Sequence, residues 1–413
     1  MKRRDFIVGS GAGLLGASAL PSLSRASVSA ADRKFIFIFC YGGWDPAMAF
    51  CPNVGDGDII DRESASDTAT AGDIPYVSTS RSVVNDFFDT YHDNMLLFNG
   101  LEVRNIDHWV CAILSKTGGT SGEQPDWGTI IGQQEASRYL IPHFATGGPV
   151  FAGAFPSSVV SSSGGDQLFH MLNGQLHSQY SDRSMPAAFA SESRDALHAF
   201  TARRQQALLE GTIGRRQLLL QNSVDGMATL RDAMGFAESL RGGGLAFDRV
   251  LSLLSEGNVR CISMNHDVNP SYDTHESNFY YQGRHLTSLF TSLTDLMERL
   301  NDTPGEVATT LLEETTVVVH SEMGKTPQLN GSGKDHWPYT TTMLLGSGFT
   351  GNRTVGAYTG ALAGSPIDFA TGELYEGGQL MTASTIGATL LAMADIDPGD
   401  WALDSSPILG VLP

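Results

Sequence analysis

Apolar residues fall into two patterns along the chain. Some runs are almost wholly apolar or β-branched: "KFIFIFC" at 34–40, "VRCISM" at 259–264, "TTVVV" at 315–319 and "TTMLL" at 341–345. Such runs predict strands buried on both faces. Other stretches repeat apolar positions at three-to-four spacing, as in "HLTSLFTSLTDLMERLND" at 285–302, which predicts an amphipathic helix. "SVVNDFFDTYHDNMLLFNGLE" reads as a helix and then a short strand ending near Leu101. Residues 104–135 hold polar loops and two helix starts, with Asp126 placed to cap one before Trp127. "TASTIGATLLAMADID" predicts a C-terminal helix, and Gly42-Gly43 a tight turn after the first strand. Residues 53–80, rich in Asp, Ser and Thr, read as a loop, as does "SSSGGDQ" at 161–167. From Ser191 to Leu240 the chain turns to Arg, Gln, Leu and Ala at helical spacing, ended by "RGGG" at 241–244, so a helical subdomain is expected over about 191–244. Buried strands alternating with amphipathic helices predict an α/β fold whose mainly parallel sheet is covered on both sides. No internal repeat or coiled-coil heptad is visible.

The bulk composition fits that picture. The chain has 413 residues, 41% hydrophobic and 17% charged, a globular composition with length for one large α/β domain or two ordinary ones. Its formal charge of -19 argues against nucleic acid as a partner. An anionic substrate stays open, because a bound cation can reverse the local sign.

The N-terminus changes the expected location. Lys2, Arg3 and Arg4 precede a mild Gly/Ala/Leu run from Ile7 to Leu20, and Val28-Ser29-Ala30 fits a small-residue cleavage site. Arg3-Arg4-Asp5-Phe6-Ile7 resembles the twin-arginine export motif, with Lys2 where a Ser or Thr is usual. Residues 1–30 are thus expected to be a signal peptide and 31–413 the mature domain, periplasmic or secreted, without a membrane span and carrying about -22 once Lys2, Arg3, Arg4, Arg25 and Asp5 are removed. The four cysteines, Cys40, Cys51, Cys111 and Cys261, show no zinc-finger or CxxC spacing. A Cys40–Cys51 bridge is open in an oxidising compartment, although the apolar surroundings of Cys40 and Cys261 favour buried thiols.

In parallel sheets, side chains that act on ligands collect past the carboxyl ends of strands. Asp45 follows Gly42-Gly43-Trp44; His266, Asp267, Asp273 and His275 follow the 259–264 run; His320, Ser321 and Glu322 follow the 315–319 run. Asp335-His336 precede "TTMLL", and Asp107-His108 lie in a fifth loop. Singly, each reads as readily as a turn, a cap or a solvated residue. Asp273 and His275, two apart, share one face of an extended segment. His320 and His266-Asp267 read as hydrogen-bonded supports. Taken together, carboxylates and imidazoles drawn from several strand ends match the donors a divalent cation takes.

"DTHESN", "SEMGKTPQLNG" and "GKDHW", in that order and after "YGGWD", resemble the exported bacterial proteins grouped as domain-of-unknown-function family 1501, over about 34–398. The resemblance implies an alkaline phosphatase-like, three-layer α/β/α sandwich shared with sulfatases, with a helical insertion and divalent metal at the strand ends. It implies metal ligands at Asp45, Asp273, His275, Glu322 and His336, with Asp335 beside the last. Zinc is the first expectation, with manganese, magnesium or calcium as alternatives. Where the hydrolases of that superfamily carry a Ser, Thr or Cys nucleophile, this chain has His108, whose role as nucleophile, general acid or further ligand is open, with Asp107 placed to orient it. Cys111 reads as packing, and Met323 stands where a His ligand is common. Lys325 or Arg284 is expected to hold an anionic group. The implied activity is metal-dependent hydrolysis of a phosphate or sulfate ester, small or on a decorated polymer. The alternatives are a non-catalytic exported binding or accessory protein on the same fold, with a metal or remnant site, no turnover and a second exported protein as partner, or another metal-dependent reaction on a cell-surface polymer.

Overall fold

The computed structural model describes residues 28–77, 81–139, 141–161, 247–401 and 405–413. The twin-arginine stretch and the whole of the helical subdomain expected over 191–244 lie outside the described residues. Twelve strands are described: β1 (Lys34–Phe39), β2 (Thr68–Ala71), β3 (Ile74–Val77), β4 (Met95–Glu102), β5 (Ile141–Ala145), β6 (Val159–Ser161), β7 (Val259–Asn265), β8 (Thr315–His320), β9 (Gly324–Lys325), β10 (His336–Trp337), β11 (Tyr339–Gly346) and β12 (Arg353–Val355). The helices are α1 (Ser82–Tyr91), α2 (His108–Thr117), α3 (Trp127–Gln134), α4 (Phe247–Ser255), α5 (Asn278–Asp302), the short α6 (Leu311–Glu314) and α7 (Ala383–Met393).

Eight strands form one sheet in the order β12-β4-β11-β8-β1-β7-β5-β6. β1 pairs in parallel with β7 and β8, β5 with β6 and β7, and β12 with β4; β11 runs antiparallel between β4 and β8. The mainly parallel α/β expectation therefore holds. β1 is buried along its whole length because both faces are covered. Ile36, Ile38, Val317 and Val319 point to one face with Phe87 and Phe88 of α1 and Leu286, Leu289 and Phe290 of α5. Phe35, Phe37 and Val318 point to the other, with Trp127 and Ile131 of α3 and Ile386 and Leu390 of α7. Alternate residues of one strand thus feed two cores, which makes the sandwich three layers deep.

One segment departs from the sequence reading. The stretch expected as loop over 53–80 contains the β2–β3 hairpin, closed over Tyr76, whose ring stacks on Phe88 at 4.1 Å. All four cysteines are free and buried, so no Cys40–Cys51 bridge forms. Among the described residues no helix is long and apolar enough to cross a membrane.

Candidate metal centre

The carboxyl ends of β1, β4, β7 and β8 open on one edge of the sheet, and β11 starts there because it runs the other way. The chain leaving each strand brings one part of a cluster. After β1, Tyr41 and Gly42 turn back across the edge. After β4, Asp107 caps α2 by accepting from the Val110 amide at 3.0 Å, which fixes His108 as the first helical residue. After β7 comes Asp273, after β8 Glu322, and on the β9–β10 ribbon Lys325 and His336 face each other in register.

Three imidazoles converge on the Asp273 carboxylate. His336 Nε2 lies 3.0 Å and His275 Nε2 2.9 Å from Asp273 Oδ1, and His108 Nε2 lies 3.3 Å from Oδ2. The outward nitrogen of each ring is also engaged. His108 Nδ1 donates to Glu322 Oε1 at 2.8 Å, His275 Nδ1 to Asp335 Oδ1 at 3.2 Å, and His336 Nδ1 to the carbonyl of Ile106 at 2.9 Å. A carboxylate or a carbonyl oxygen can only accept, so Nδ1 carries the hydrogen in all three rings. By the same rule an Nε2 beside an Asp273 oxygen either carries a proton, making its ring a cation that donates from both nitrogens, or, in a neutral ring, presents a lone pair that needs a cation between it and the carboxylate; His275 and His336 bring their Nε2 atoms to 3.0 Å of each other. His108 Nε2 is buried without a hydrogen-bond partner. One ligand atom each from His108, Asp273 and His336 lies within 4.8 Å of the other two. Lone pairs gathered in this way are held together by a cation between them or by protons, and outward Nδ1–H donation to an oxygen is the usual support of a metal-binding imidazole. The residues therefore fit a divalent metal.

The electrostatics agree. The hydrogen bond to Glu322 raises the pKa of His108; burial opposes it, and the charges of Glu322 and Asp273 add to the rise. Burial pushes the Asp273 carboxyl up, but hydrogen bonds from Lys325 and His336 and the charges of Lys325 and His108 outweigh it, so the group stays ionised far below the usual carboxylate range. Lys325 Nζ sits 2.9 Å from Asp273 Oδ1 with its side chain fully buried, pinned to the carboxylate instead of standing open to an anion.

Several sequence-predicted residues lie elsewhere. Asp45 does not join the cluster: its buried carboxylate forms an ion pair with Lys334 Nζ at 2.8 Å and accepts from Asn278 Nδ2 at 2.7 Å and the Ala47 amide at 3.1 Å. Lys334 also reaches Asp61 at 2.5 Å, so a lysine supplies the cation that the sequence reading assigned to a metal. Glu322 stands behind His108, with Oε1 also accepting from the Gly42 amide at 2.8 Å and Oε2 from Ser321 Oγ at 3.1 Å. It, and not Asp107, orients the imidazole. Asp335 is exposed and touches the cluster through His275. His266 is held by Tyr272 and Ser288, and burial drops its pKa to about 4; burial drops His320 to about 3. Both support the fold. Asp267 is exposed, and exposed Arg284 lies over the ring of Tyr280. Cys111 and Met323 pack together with Val103. Lys334 and Asn278 beside Asp45, and the Ile106 carbonyl behind His336, are partners the sequence did not reveal; Lys334 is visible in "GKDHW", but nothing in that spacing marks it as buried.

Residues 250–368 match the model of a family described as "Protein of unknown function (DUF1501)", a segment that contains Asp273, His275, Glu322, Lys325 and His336. No curated protein matches the sequence. Among solved structures, the chain is similar to Ps i-CgsB in complex with k-i-k-neocarrahexaose, at 11% identity and a TM-score of 0.40 over 91% of this chain and 74% of that one. It is also similar to a protein in the alkaline phosphatase superfamily from Vibrio parahaemolyticus, at 9% identity and a TM-score of 0.38 over 90% of this chain and 67% of that one. A third is the PsFucS1 sulfatase from Pseudoalteromonas sp., at 9% identity and a TM-score of 0.37 over 88% of this chain and 68% of that one.

Proposed function

We propose that this chain is an exported, metal-dependent hydrolase of phosphate or sulfate esters, with one divalent cation held by His108, Asp273 and His336 and flanked by His275. The observation that carries the reading is the set of three imidazoles that donate Nδ1–H outward and direct Nε2 at one carboxylate. Imidazole nitrogens with one carboxylate oxygen favour zinc over magnesium or calcium, which prefer all-oxygen sites. Bound there, zinc would polarise an ester oxygen and lower the pKa of a water. Glu322 fixes the tautomer of His108, Asp335 that of His275, and the Ile106 carbonyl that of His336. Lys325 sets a fixed positive charge beside Asp273, which balances that carboxylate.

The test is direct. The protein is purified, stripped with chelator and refilled with zinc, manganese, magnesium or calcium. Near-stoichiometric zinc, with hydrolysis of at least one member of a panel of aryl phosphates, phosphodiesters and aryl sulfates, is expected; Asp273→Asn should abolish both. Activity unchanged by Asp273→Asn would remove the site from the reaction.

One observation favours a second reading. Two carboxylates expected as ligands are already neutralised by buried lysines, Asp45 by Lys334 and Asp273 by Lys325. On this reading the fold is a non-catalytic exported accessory protein that binds a second exported protein. A folded protein that takes up none of the four metals and turns over none of the panel would favour it.

A further inference from the structure

At the sheet edge away from the metal cluster, Arg260 of β7 is fully buried. Its hydrogen bonds all go to main-chain carbonyls: Nη2 to Ala30 at 2.8 Å, Nη1 to Ile131 at 2.7 Å and Nε to Arg33 at 3.3 Å. The chain it grips is the short segment before β1, and other residues hold that segment too. The Asp32 amide donates to the Ser29 carbonyl at 3.0 Å, closing a turn, and Ser29 Oγ donates to Asp32 Oδ2 at 2.5 Å. Arg138 pairs with Asp32 and also with Glu306. Tyr139 Oη donates to the Ala31 carbonyl at 3.4 Å. Arg33, itself buried, donates from Nη2 to the Val28 carbonyl at 3.4 Å. The carbonyls of Ala30, Ala31 and Arg33 are therefore engaged by side chains from elsewhere in the folded domain, and that of Val28 by Arg33 of the segment itself.

This segment contains the small-residue run Val28-Ser29-Ala30. The Ala30–Ala31 peptide, the bond such a run would present to a leader peptidase, is the central peptide of the Ser29–Asp32 turn. A protease takes its substrate as an extended strand, and that conformation is incompatible with the turn. Hydrolysis of this bond consumes one water, puts the new carboxylate on the departing leader and leaves an ammonium on Ala31. It would remove the Ala30 carbonyl from Arg260, leaving a buried guanidinium short of an acceptor, and place a further positive charge near Arg33 and Arg260.

We propose that residues 28–33 are a clasp belonging to the folded domain, and that the leader is cut before Val28 and not at Ala30–Ala31. The proposal rests on the export reading given above. It sharpens that reading, because a chain exported already folded presents the clasp closed.

Two measurements test it. The first is the intact mass of the protein recovered outside the cytoplasm after expression of the full chain. A mature N-terminus at or before Val28 is expected, and one at Ala31 would overturn the proposal. The second does not depend on export: chains beginning at residue 28 and at residue 31 are compared by urea unfolding. The shorter chain should show a folded-to-unfolded ratio lower by at least about tenfold, and equal ratios would overturn the clasp. If the shorter chain does not fold, Asp32→Ala in the longer chain takes its place, with a lower unfolding midpoint expected and an unchanged one counting against the clasp. A leader retained on protein inside the cell would refute export, while the unfolding comparison would still decide the clasp.

Discussion

Glu322 determines which nitrogen of His108 faces Asp273. Its Oε1 accepts from both His108 Nδ1 and the Gly42 amide, so the carboxylate is fixed and the imidazole follows it. In Glu322→Gln the amide can present its NH2 group to Nδ1, which would shift the hydrogen to Nε2 and turn a ligand into a donor. The expected result is a zinc affinity lower by about 10–100-fold with little change in fold, measured by competition with a chromophoric chelator. In metal-free protein the same substitution should lower the His108 pKa, because the hydrogen bond to Glu322 is the largest contribution raising it. The sign follows from linkage. A raised histidine pKa adds stability that is fully present below the unfolded value near 6.5 and lost as pH rises through the folded value. Glu322→Gln should therefore flatten the loss of metal-free stability on going from slightly acidic to alkaline pH, read from urea midpoints against wild type.

At the scale of elements, two segments decide whether the cluster assembles. Gly42 has φ +119°, and a Cβ there would overlap the backbone of Tyr272 and Asp273. Gly42→Ala should cost about 1–3 kcal/mol from backbone strain alone and, by pushing the Asp273 segment away, lower metal content in the purified protein. The second segment is the loop carrying Asp335 and His336, tied down by the Asp45–Lys334–Asp61 cluster. Lys334→Met leaves two buried carboxylates without their cation and should cost about 3–5 kcal/mol in urea unfolding. Removing the charges together, in Asp45→Asn/Asp61→Asn/Lys334→Met, should recover most of that loss. These elements also show what the sequence could reveal. The strands β1, β7 and β8 were legible because burial on both faces leaves uninterrupted apolar runs. The direction of β11 was not, since "TTMLL" reads alike parallel or antiparallel. Asp273, His275 and His336 were legible as strand-end polar residues, and the structure brings them together. Asp45 was misleading: a carboxylate after a Gly-Gly turn looks the same whether a metal or a lysine nearly three hundred residues away neutralises it.

At the scale of the whole molecule, five histidines among the described residues have shifted pKa values, and they respond to acid in two opposite ways. His108 lies at the cluster with a raised pKa, whereas His143, His266, His285 and His320 are buried and desolvation lowers theirs, to about 4 for His266 and His285 and about 3 for His320. A depressed histidine contributes stability that is present above the unfolded value near 6.5 and is lost as pH falls towards the folded value, because the unfolded chain takes the proton first. Each such group adds a slope of up to about 1.4 kcal/mol per pH unit between those limits. Glu63 opposes them: burial raises its pKa to about 7, so its contribution is present below its ordinary range and lost as pH rises through about 7. With four buried imidazoles against this carboxyl and His108, the metal-free protein should lose stability from pH 6.5 down to about 4.5. His266→Asn isolates one share, since asparagine keeps a polar group between Tyr272 and Ser288 without a titrating proton. Urea unfolding in the presence of chelator at pH 7.5 and pH 5 should show a stability difference smaller by about 2 kcal/mol in the variant than in wild type. Chelator matters because acid also protonates metal-binding imidazoles, and release of a bound ion would add a second acid-dependent loss with the same sign. If the two proteins lose equal stability over that interval, His266 is not held neutral by its burial, and the acid response must come from the cluster.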